Sequence, residues 1–465
     1  MYVFRVKEAA LTIFFIGFPL WSSAKPVAPQ IFCETYPDSQ TCSQGIDCRQ
    51  CHTAPPELNL YGSSVQASIH TLSSGGTFSE LLPLALQAVE VEDSDNDGES
   101  NLTEISQGTL TYDAASNNHP VVESREWNSA YALRKVSTLF CGHSPSFDDL
   151  EDLRKNNSTE AEKQTAVHDT LSKCLNSDYW KHEALHRIAD KRIRPLFQLG
   201  LNGAIGIGDY QWDYRLFSYV LTGDRDARDL LLAKYHIAPD GSVIEGTIPR
   251  ERPFVNEQTG QLNLGSGQPL IPERRAGLIT SQWFMSFFTM FAELPRNTAS
   301  QAYRAYLGLD IAKSEGLIPI EGEPRDVDNK GVDAPQCAVC HSTLDPLAYA
   351  FSAYAGVEST PDNPIGEGNP FGTYYPEGTD WEADGHLFGE PVSDLMDWAL
   401  KAANSDAFKK NLASIFFNYA TGKKPGPADE AEFKALWQST TEDKYSANKL
   451  IHRLVDTLAF GGVQK

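Results

Sequence analysis

Positive charge is scarce in this sequence. Its 465 residues include 39 Lys and Arg against 62 Asp and Glu, which gives a formal net charge of −23. Such a surface repels nucleic acid and anionic lipid, and it favours a basic partner or a bound cation. We therefore expect no nucleic-acid partner. Two explanations of the charge stay open, a basic redox protein as partner and solubility alone.

Long hydrophobic runs are missing beyond residue 24. A membrane-spanning helix needs about 20 mainly apolar residues, so we expect no transmembrane segment there. Residues 1–24 are typical of a signal peptide, because Arg5 and Lys7 precede a short apolar run at 9–21 and small residues occupy 22–24. We expect cleavage before about Lys25 and a periplasmic or extracellular protein. An uncleaved membrane anchor is the alternative.

Cysteine is sparse as well, but four of the eight cysteines form one repeated pattern. Cys-x-x-Cys-His occurs at 48–52 and again at 337–341. This is the attachment pattern of c-type haem, in which two thiols bond to one porphyrin and the adjacent His binds its iron. Zinc binding and thiol redox chemistry leave the fixed His unexplained. We predict two covalent haems, with thioether anchors at Cys48, Cys51, Cys337 and Cys340 and iron ligands at His52 and His341.

The other four cysteines suggest disulfides. An even number of cysteines outside the haem motifs is typical of disulfide pairing in an exported protein. Pairing by proximity predicts Cys33 with Cys42 and Cys141 with Cys174, although four cysteines allow three connectivities.

Methionine is rare, which narrows the search for the second axial ligand of each iron. After the leader, only Met285, Met290 and Met396 remain. Two strong axial ligands suit electron transfer, whereas an open position permits reaction with peroxide or oxygen. For the C-terminal haem we favour His386, with Met396 second. For the N-terminal haem no candidate stands out among the remaining histidines, which include His70, His119, His182 and His186.

An acidic segment at 93–104 matches the EF-hand calcium loop. Carboxylates stand at positions 1, 3 and 5, a glycine at position 6, and a glutamate at position 12. Carboxylates at this density repel one another unless a dication or solvent separates them, and a solvated acidic loop is the alternative. We predict a structural Ca²⁺ bound by Asp93, Asp95, Asp97, the Glu99 carbonyl, Asn101 and Glu104.

A second metal-like pattern, His182-Glu183-Ala184-Leu185-His186, fits the zinc-protease template. A third ligand is missing at the spacing of the metzincins, where Ala189 and Arg192 stand. We expect helix packing or a distal haem ligand at His182 and His186 rather than zinc hydrolysis.

Strong strand alternation is absent, whereas helical periodicity recurs along the chain. We therefore predict a mainly α, multi-domain fold with two cytochrome c-like haem domains flanking a helical middle region. The predicted boundaries are 25–120 for the N-terminal haem domain with its calcium loop, 121–300 for the middle domain and 301–465 for the C-terminal haem domain.

Three segments carry a resemblance to a known group. Arg275–Thr280, Cys337–Leu347 and Tyr419–Pro425 resemble the planctomycete-type secreted cytochromes, which are large bacterial c-type cytochrome-like proteins. The resemblance covers roughly residues 130 to 460, and its specific part is the haem motif with the following Asp-Pro. It implies an exported haem protein with a mostly helical, cytochrome-like C-terminal domain. The first haem motif and the calcium loop lie outside it.

Two haem motifs without a catalytic triad or activated nucleophile favour electron transfer. Our leading hypothesis is an exported di-haem c-type cytochrome that relays single electrons between redox partners. The alternative is a di-haem oxidoreductase of peroxidase type, with one open haem. A binding module in which haem serves only assembly is a third hypothesis.

Overall fold

The computed structural model describes residues 27–43, 48–54, 57–72, 76–114, 116, 125–154, 159–193, 205–206, 210–248, 254–255, 257, 262–263, 268, 270–281, 284–285, 294–311, 320–327, 330–355, 373–374 and 383–464. The predicted signal peptide and two candidate iron ligands, His119 and Met290, lie outside these residues.

The described part of the chain is mainly helical, as predicted. Short 3-10 or π turns extend or connect several helices. None of the described helices is long and apolar enough to cross a membrane. The α-helices are Ala28–Thr35, Gln40–Ser43, Leu60–Leu72, Phe78–Ala88, Asn101–Gln107, Ser129–Val136, Phe147–Arg154, Glu160–Leu175, Leu185–Ile193, Tyr210–Val220, Asp229–Leu232, Arg296–Ala302, Pro335–Leu344, Leu395–Asn404, Asp406–Thr421, Glu430–Gln438, Ala447–Val455 and Leu458–Gly461.

Strands are short and form small ribbons instead of one large sheet. One sheet has three strands, Ile205–Gly206, Leu262–Asn263 and Phe254–Val255. The antiparallel pairs are His52–Ala54 with Glu57–Leu58, His236–Ile237 with Val243–Ile244, Tyr354–Ala355 with Thr373–Tyr374, Gly385–Leu387 with Glu390–Val392, and Gly462–Gln464 with Arg125–Trp127.

Local sequence signals explain where several helices begin. The helix Glu160–Leu175 starts with a capping box, in which the Thr159 side chain accepts the Glu162 N–H and the Glu162 carboxylate accepts the Thr159 N–H. Ser405 caps the helix Asp406–Thr421 by accepting the Phe408 N–H at 3.1 Å. Such caps satisfy backbone donors that a helix leaves unpaired at its first turn.

The described residues form two separate apolar cores. The N-terminal core contains Ile31, Phe32, Tyr36, Tyr61, Val65, Leu82, Ala85, Leu86, Val89 and Ile105. The larger core runs from Ala132 to Phe460 and takes buried residues from both the predicted middle domain and the predicted C-terminal domain. The chain end closes on this larger body, because Gly462–Gln464 pairs with Arg125–Trp127. The boundary predicted near residue 300 therefore does not coincide with a break in the core.

Both predicted disulfides are present. Cys33 bonds to Cys42 beside the N-terminal core, and Cys141 bonds to Cys174 in the larger body. Their formation is compatible with an exported protein, since disulfides persist in oxidising compartments.

Candidate haem and calcium sites

The first haem motif lies at the start of a small hairpin. Cys48–Gln50 forms one 3-10 turn, and His52 opens the strand that pairs with Glu57–Leu58. The Cys48 side chain is outside the described part of the structure, whereas Cys51 and His52 are partly buried. The Nδ1 atom of His52 is buried and has no hydrogen-bond partner among the described residues. Among the described residues, therefore, no acceptor holds Nδ1 of this imidazole.

Asn59, which the sequence did not single out, holds the backbone of the first motif. Its Nδ2 donates to the carbonyl oxygens of Arg49 at 2.9 Å and Gln50 at 3.2 Å, and its N–H donates to the Cys51 carbonyl at 3.0 Å. Its Oδ1 accepts the Gly62 N–H at 2.7 Å, as a helix N-cap does. One buried side chain thus joins the motif to the helix that follows.

Gly62 allows this helix to approach the motif closely. A Cβ atom at Gly62 would lie 1.9 Å from the Cys51 carbonyl oxygen, so a larger residue would force the backbone apart. The neighbouring Tyr61 is fully buried, and this burial, followed by the proximity of the Cys51 thiol, raises the pKa of Tyr61 well above its usual range. The N-terminal core therefore packs directly against the motif.

The second haem motif lies on the helix Pro335–Leu344. Proline suits the first turn of this helix, where its missing N–H would have no partner. Cys337 and Cys340 are three residues apart, so their side chains lie on one helical face. Neither thiol is in a disulfide, and Cys340 is exposed. This face can accept a porphyrin edge without prior rearrangement of a disulfide.

A buried carboxylate contacts the histidine of the second motif. His341 Nδ1 lies 3.0 Å from Asp345 Oδ1, and Asp345 is 0% exposed. Arg296 binds the same carboxylate through two bonds, Nε to Oδ1 at 2.6 Å and Nη2 to Oδ2 at 2.7 Å. When Nδ1 donates its proton to Asp345, the Nε2 lone pair is left for a metal. A carboxylate behind a metal-binding histidine is the usual second-layer partner of such a ligand.

The sequence contained part of this signal. Asp345 stands four residues after His341, which puts both on one helical face. Arg296 is 49 residues away along the chain and carries no local pattern that links it to the motif. Only the fold brings the guanidinium to the carboxylate.

His386, the favoured second ligand of the C-terminal haem, lies on the strand Gly385–Leu387. A Cβ atom at Gly385 would lie 2.5 Å from the Pro346 carbonyl oxygen, so this strand packs directly against the turn that follows the His341 helix. Tyr303 Oη donates to the His386 carbonyl at 3.4 Å. The Nδ1 atom of His386 is buried without a hydrogen-bond partner among the described residues. The fold thus brings His386 near the second motif with an unused ring nitrogen.

The other candidate ligands differ in their surroundings. Met396 is partly buried against the larger core, on a helix that contacts the His386 strand. His182 is exposed. His186 stacks on Tyr214 with ring centroids 3.4 Å apart, and burial lowers the pKa of His186. The π turn Trp180–Ala184 also changes the helical spacing on which the zinc-protease template depends. His186 takes part in the packing between the helices Leu185–Ile193 and Tyr210–Val220.

The acidic loop brings its first three carboxylates together. Ligand oxygens of Asp93, Asp95 and Asp97 lie within 4.8 Å of one another. Gly98 has φ +97°, which permits the sharp turn, and its N–H donates to Asp93 Oδ2 at 2.9 Å. Glu99 N–H donates to Asp97 Oδ1 at 2.8 Å. These bonds hold the side chains inward despite their mutual repulsion.

Glu104 is a buried carboxylate of the acidic loop that has no hydrogen-bond partner among the described residues. It is 0% exposed, and this lack of a partner applies to both carboxylate oxygens. Burial, followed by repulsion from Asp95 and Asp97, raises the pKa of Glu104 to about 8. A buried carboxylate without a donor is costly unless a cation balances it. The Glu99 side chain also places a buried, unpartnered oxygen in this loop, in addition to the carbonyl ligand that the sequence predicted.

Asn101, the ligand predicted at position 9, holds the backbone around the loop. Its Nδ2 donates to the Val89 carbonyl at 2.7 Å, and its Oδ1 accepts the Ser94 N–H at 3.3 Å. Asn101 therefore positions the loop backbone, since both polar atoms of its amide are engaged within the protein.

Comparison with known proteins adds one match. Residues 389–460 match the family described as protein of unknown function (DUF1585). The matched part begins after the His386 strand and covers less than half of the chain, so it leaves both haem motifs outside. No curated protein and no solved structure matches the chain significantly.

Proposed function

We propose that this chain is an exported di-haem c-type cytochrome that relays single electrons between redox partners. The observation that carries the proposal is the chain of contacts from His341 through Asp345 to Arg296. A protein has little reason to bury a carboxylate against a partly exposed imidazole unless that imidazole needs a defined orientation. The first Cys-x-x-Cys-His motif, at 48–52, would supply a second site of the same chemistry.

The residues fit a covalently bound haem at the second motif. Cys337 and Cys340 would supply the thioether bonds, and His341 would bind iron through Nε2. Bound haem c supplies a one-electron redox centre. Asp345 holds the tautomer and ring orientation of His341, while Arg296 balances the carboxylate charge. His386 is the proposed second ligand, because its strand packs on the turn after His341.

A peroxidase-type oxidoreductase is the second candidate, and one observation favours it. A carboxylate partner makes the histidine a stronger electron donor to its metal, which stabilises the oxidised metal. An open position at one iron would then allow reaction with peroxide. The coordination of each iron separates the two functions.

The proposed family and location follow from the same features. The DUF1585 domain is found in cytochrome c-like multihaem proteins, which supports a cytochrome c-like protein. The resemblance to planctomycete-type secreted cytochromes is the finer part of the proposal. The two disulfides are compatible with export. The excess of negative charge favours a basic redox partner.

The first test is the covalent haem content. The full chain, produced in a periplasm with a c-type maturation system, is expected to gain two haem masses. A Cys337→Ser/Cys340→Ser variant is expected to gain one, and a Cys51→Ser variant is expected to lose the other. A wild-type mass without haem would contradict the proposal.

The second test is the spectrum of the reduced protein with carbon monoxide. Electron relay predicts that neither haem binds the gas readily, since both irons have two protein ligands. Rapid binding at one haem would replace relay with the peroxidase-type function. A His386→Ala variant is expected to open the C-terminal haem to carbon monoxide, whereas the exposed His182→Ala is the matched control and should change nothing.

We propose that the acidic loop binds Ca²⁺ as a structural brace of the N-terminal unit. Glu104→Gln removes one negative oxygen from the buried ligand without changing its size. Ca²⁺ at about 100 times its Kd stabilises a folded protein by about 2.7 kcal/mol, and the variant is expected to lose most of this gain. The measurement is thermal unfolding with added Ca²⁺ and with chelator. Glu92→Gln, an exposed neighbour outside the loop, is the control. Equal melting temperatures with Ca²⁺ and with chelator in the wild type would overturn the proposal.

A further inference from the structure

Arg192 carries a charge that the described residues do not balance. Its Nη1 donates to the Ile188 carbonyl at 2.8 Å, within its own helix. Its Nε is buried and has no hydrogen-bond partner among the described residues, nor do these residues supply a carboxylate in ion-pair contact. Burial lowers the pKa of Arg192 to about 10. A partly buried guanidinium whose Nε is buried without an acceptor favours a bound anion.

Two buried hydroxyls lie on the elements beside Arg192. Tyr306 and Thr298 are each 1% exposed, and neither hydroxyl has a hydrogen-bond partner in the described part of the protein. The segments that carry Arg192 and Tyr306, Leu185–Ile193 and Tyr303–Leu307, are in contact. Thr298 lies one helical turn from Gln301, whose Nε2 donates to the Arg192 carbonyl at 2.7 Å. The unused donors thus come from adjoining segments.

Asp213 does not serve as the missing counter-charge. Its carboxylate accepts bonds from the Ser281 hydroxyl and, at 3.3 Å, from the Phe284 N–H. Asp213 helps burial raise the pKa of Tyr306, whereas Arg192 acts on Tyr306 in the opposite direction. Tyr306 therefore feels the two opposite charges, which form no ion pair with each other. An anion would be attracted to the Arg192 side of Tyr306 and repelled from the Asp213 side.

We propose that Arg192, Tyr306 and Thr298 bind a carboxylate, namely one propionate of the C-terminal haem. This inference rests on the proposed function. A guanidinium and unpartnered hydroxyl donors on adjoining segments are the groups that suit carboxylate recognition. The connection to the proposed haem is the helix Arg296–Ala302, which starts with Arg296 at the Asp345 carboxylate and reaches the Arg192 backbone through Gln301. Thr298 lies between them on the same helix. One short helix therefore links the histidine side of the site to the proposed propionate site.

The test uses the holoprotein with both haems attached. Arg192→Gln removes the charge, and Arg187→Gln on the same helix is the matched control, because Arg187 is exposed and 4.0 Å from its partner Glu183. Resonance Raman spectroscopy measures the propionate bending mode, and spectroelectrochemistry measures both midpoint potentials. Arg192→Gln is expected to shift one bending mode and lower one midpoint potential, since a positive charge near the porphyrin favours the reduced iron. Arg192→Lys should restore much of the potential.

A second variant keeps the test interpretable in case Arg192→Gln does not fold. Tyr306→Phe deletes only a hydroxyl and is expected to shift the same bending mode by a smaller amount. Unchanged spectra and potentials in both variants, with two haems present by mass, would overturn this inference and leave the proposed function intact. Loss of haem from the wild-type protein would instead contradict the proposed function. If acetate raises the wild-type melting temperature but not that of Arg192→Gln, and the haem spectra stay unchanged, the site binds free carboxylates and not a propionate.

Discussion

At the scale of single residues, Asp345 is the side chain on which the second motif depends most. It is completely buried and accepts bonds from the guanidinium of Arg296 while contacting His341. The sequence indicated the iron-binding histidine and placed Asp345 on the same helical face, but it did not indicate Arg296. A buried carboxylate needs donors, and the structure supplies them from His341, on the helix Pro335–Leu344, and from Arg296.

Asp345→Asn is predicted to raise the midpoint potential of the C-terminal haem. The neutral amide accepts a weaker hydrogen bond from Nδ1–H than the carboxylate does, so the imidazole of His341 carries less electron density. His341 then becomes a weaker electron donor to iron, and the reduced state is favoured. Breaking the pair with Arg296 should also cost about 3 kcal/mol of unfolding free energy. Spectroelectrochemistry and urea unfolding measure these two effects.

The matched control is Asp384→Asn. Asp384 also pairs with an arginine, Arg325, but its side chain is 67% exposed and it does not contact His341. Both midpoint potentials and the free energy of unfolding of the Asp384→Asn variant should stay close to those of the wild type. A folded Asp345→Asn protein with unchanged potentials would show that the carboxylate does not tune this haem.

At the scale of elements, two histidines join the helices Glu160–Leu175 and Ala447–Val455. His168 Nδ1 lies 2.7 Å from His452 Nδ1, and His168 Nε2 lies 2.8 Å from Asp456 Oδ1. Burial, followed by the proximity of His168, lowers the pKa of His452. Burial opposes ionisation of Asp456, but hydrogen bonds from His168 and Gln164 outweigh it and lower the pKa of Asp456. The contact thus favours neutral His452 and charged Asp456.

Acid is therefore predicted to weaken this helix contact. A histidine with a lowered pKa stabilises the fold fully above its unfolded value of about 6.5, and this stabilisation is lost as the pH falls through the lower folded value. Lowering the pH further protonates Asp456 and acts in the same direction. His452→Gln should cost about 1 kcal/mol at pH 7.5 and should flatten the fall in stability between pH 7 and 5.

Urea unfolding at a series of pH values measures this effect. His143→Gln is the control, because His143 is exposed and lies in a loop outside this contact. An equally steep fall in stability for wild type and His452→Gln would contradict a role for His452 in the pH dependence.

At the scale of the whole molecule, two separate cores predict two unfolding transitions. The calcium loop and the Cys33–Cys42 disulfide belong with the N-terminal core, whereas Cys141–Cys174 ties helices of the larger core. Ca²⁺ removal should lower only the N-terminal transition. Cys141→Ser/Cys174→Ser should lower only the other, by about 3–4 kcal/mol for a loop of 33 residues.

Differential scanning calorimetry resolves these transitions. Cys33→Ser/Cys42→Ser is the matched control, because it removes a disulfide from the other core. That disulfide closes a loop of only nine residues. A single transition that both treatments lower together would contradict independent cores. Their separation would agree with the predicted boundary near residue 120, and it would leave the boundary near residue 300 without a break in packing.

The sequence by itself determined the local features of this protein. Two pentapeptides define the predicted haem sites, a 12-residue pattern defines the calcium loop, and cysteine spacing predicted both disulfide pairs. The helical character of the fold could also be predicted from the sequence, since amphipathic periodicity and caps such as Thr159 act over a few residues. Each of these signals depends on neighbours along the chain.

Only the tertiary structure decided which distant groups meet. It brings Arg296 to Asp345, the His386 strand to the turn after His341, and Arg192 beside Tyr306. It also joins the predicted middle and C-terminal domains in one core. The physical reason is that burial and charge pairing depend on contacts between residues that are distant in the sequence. A local sequence pattern therefore does not predict which donor will contact a buried carboxylate or which guanidinium will have no carboxylate partner.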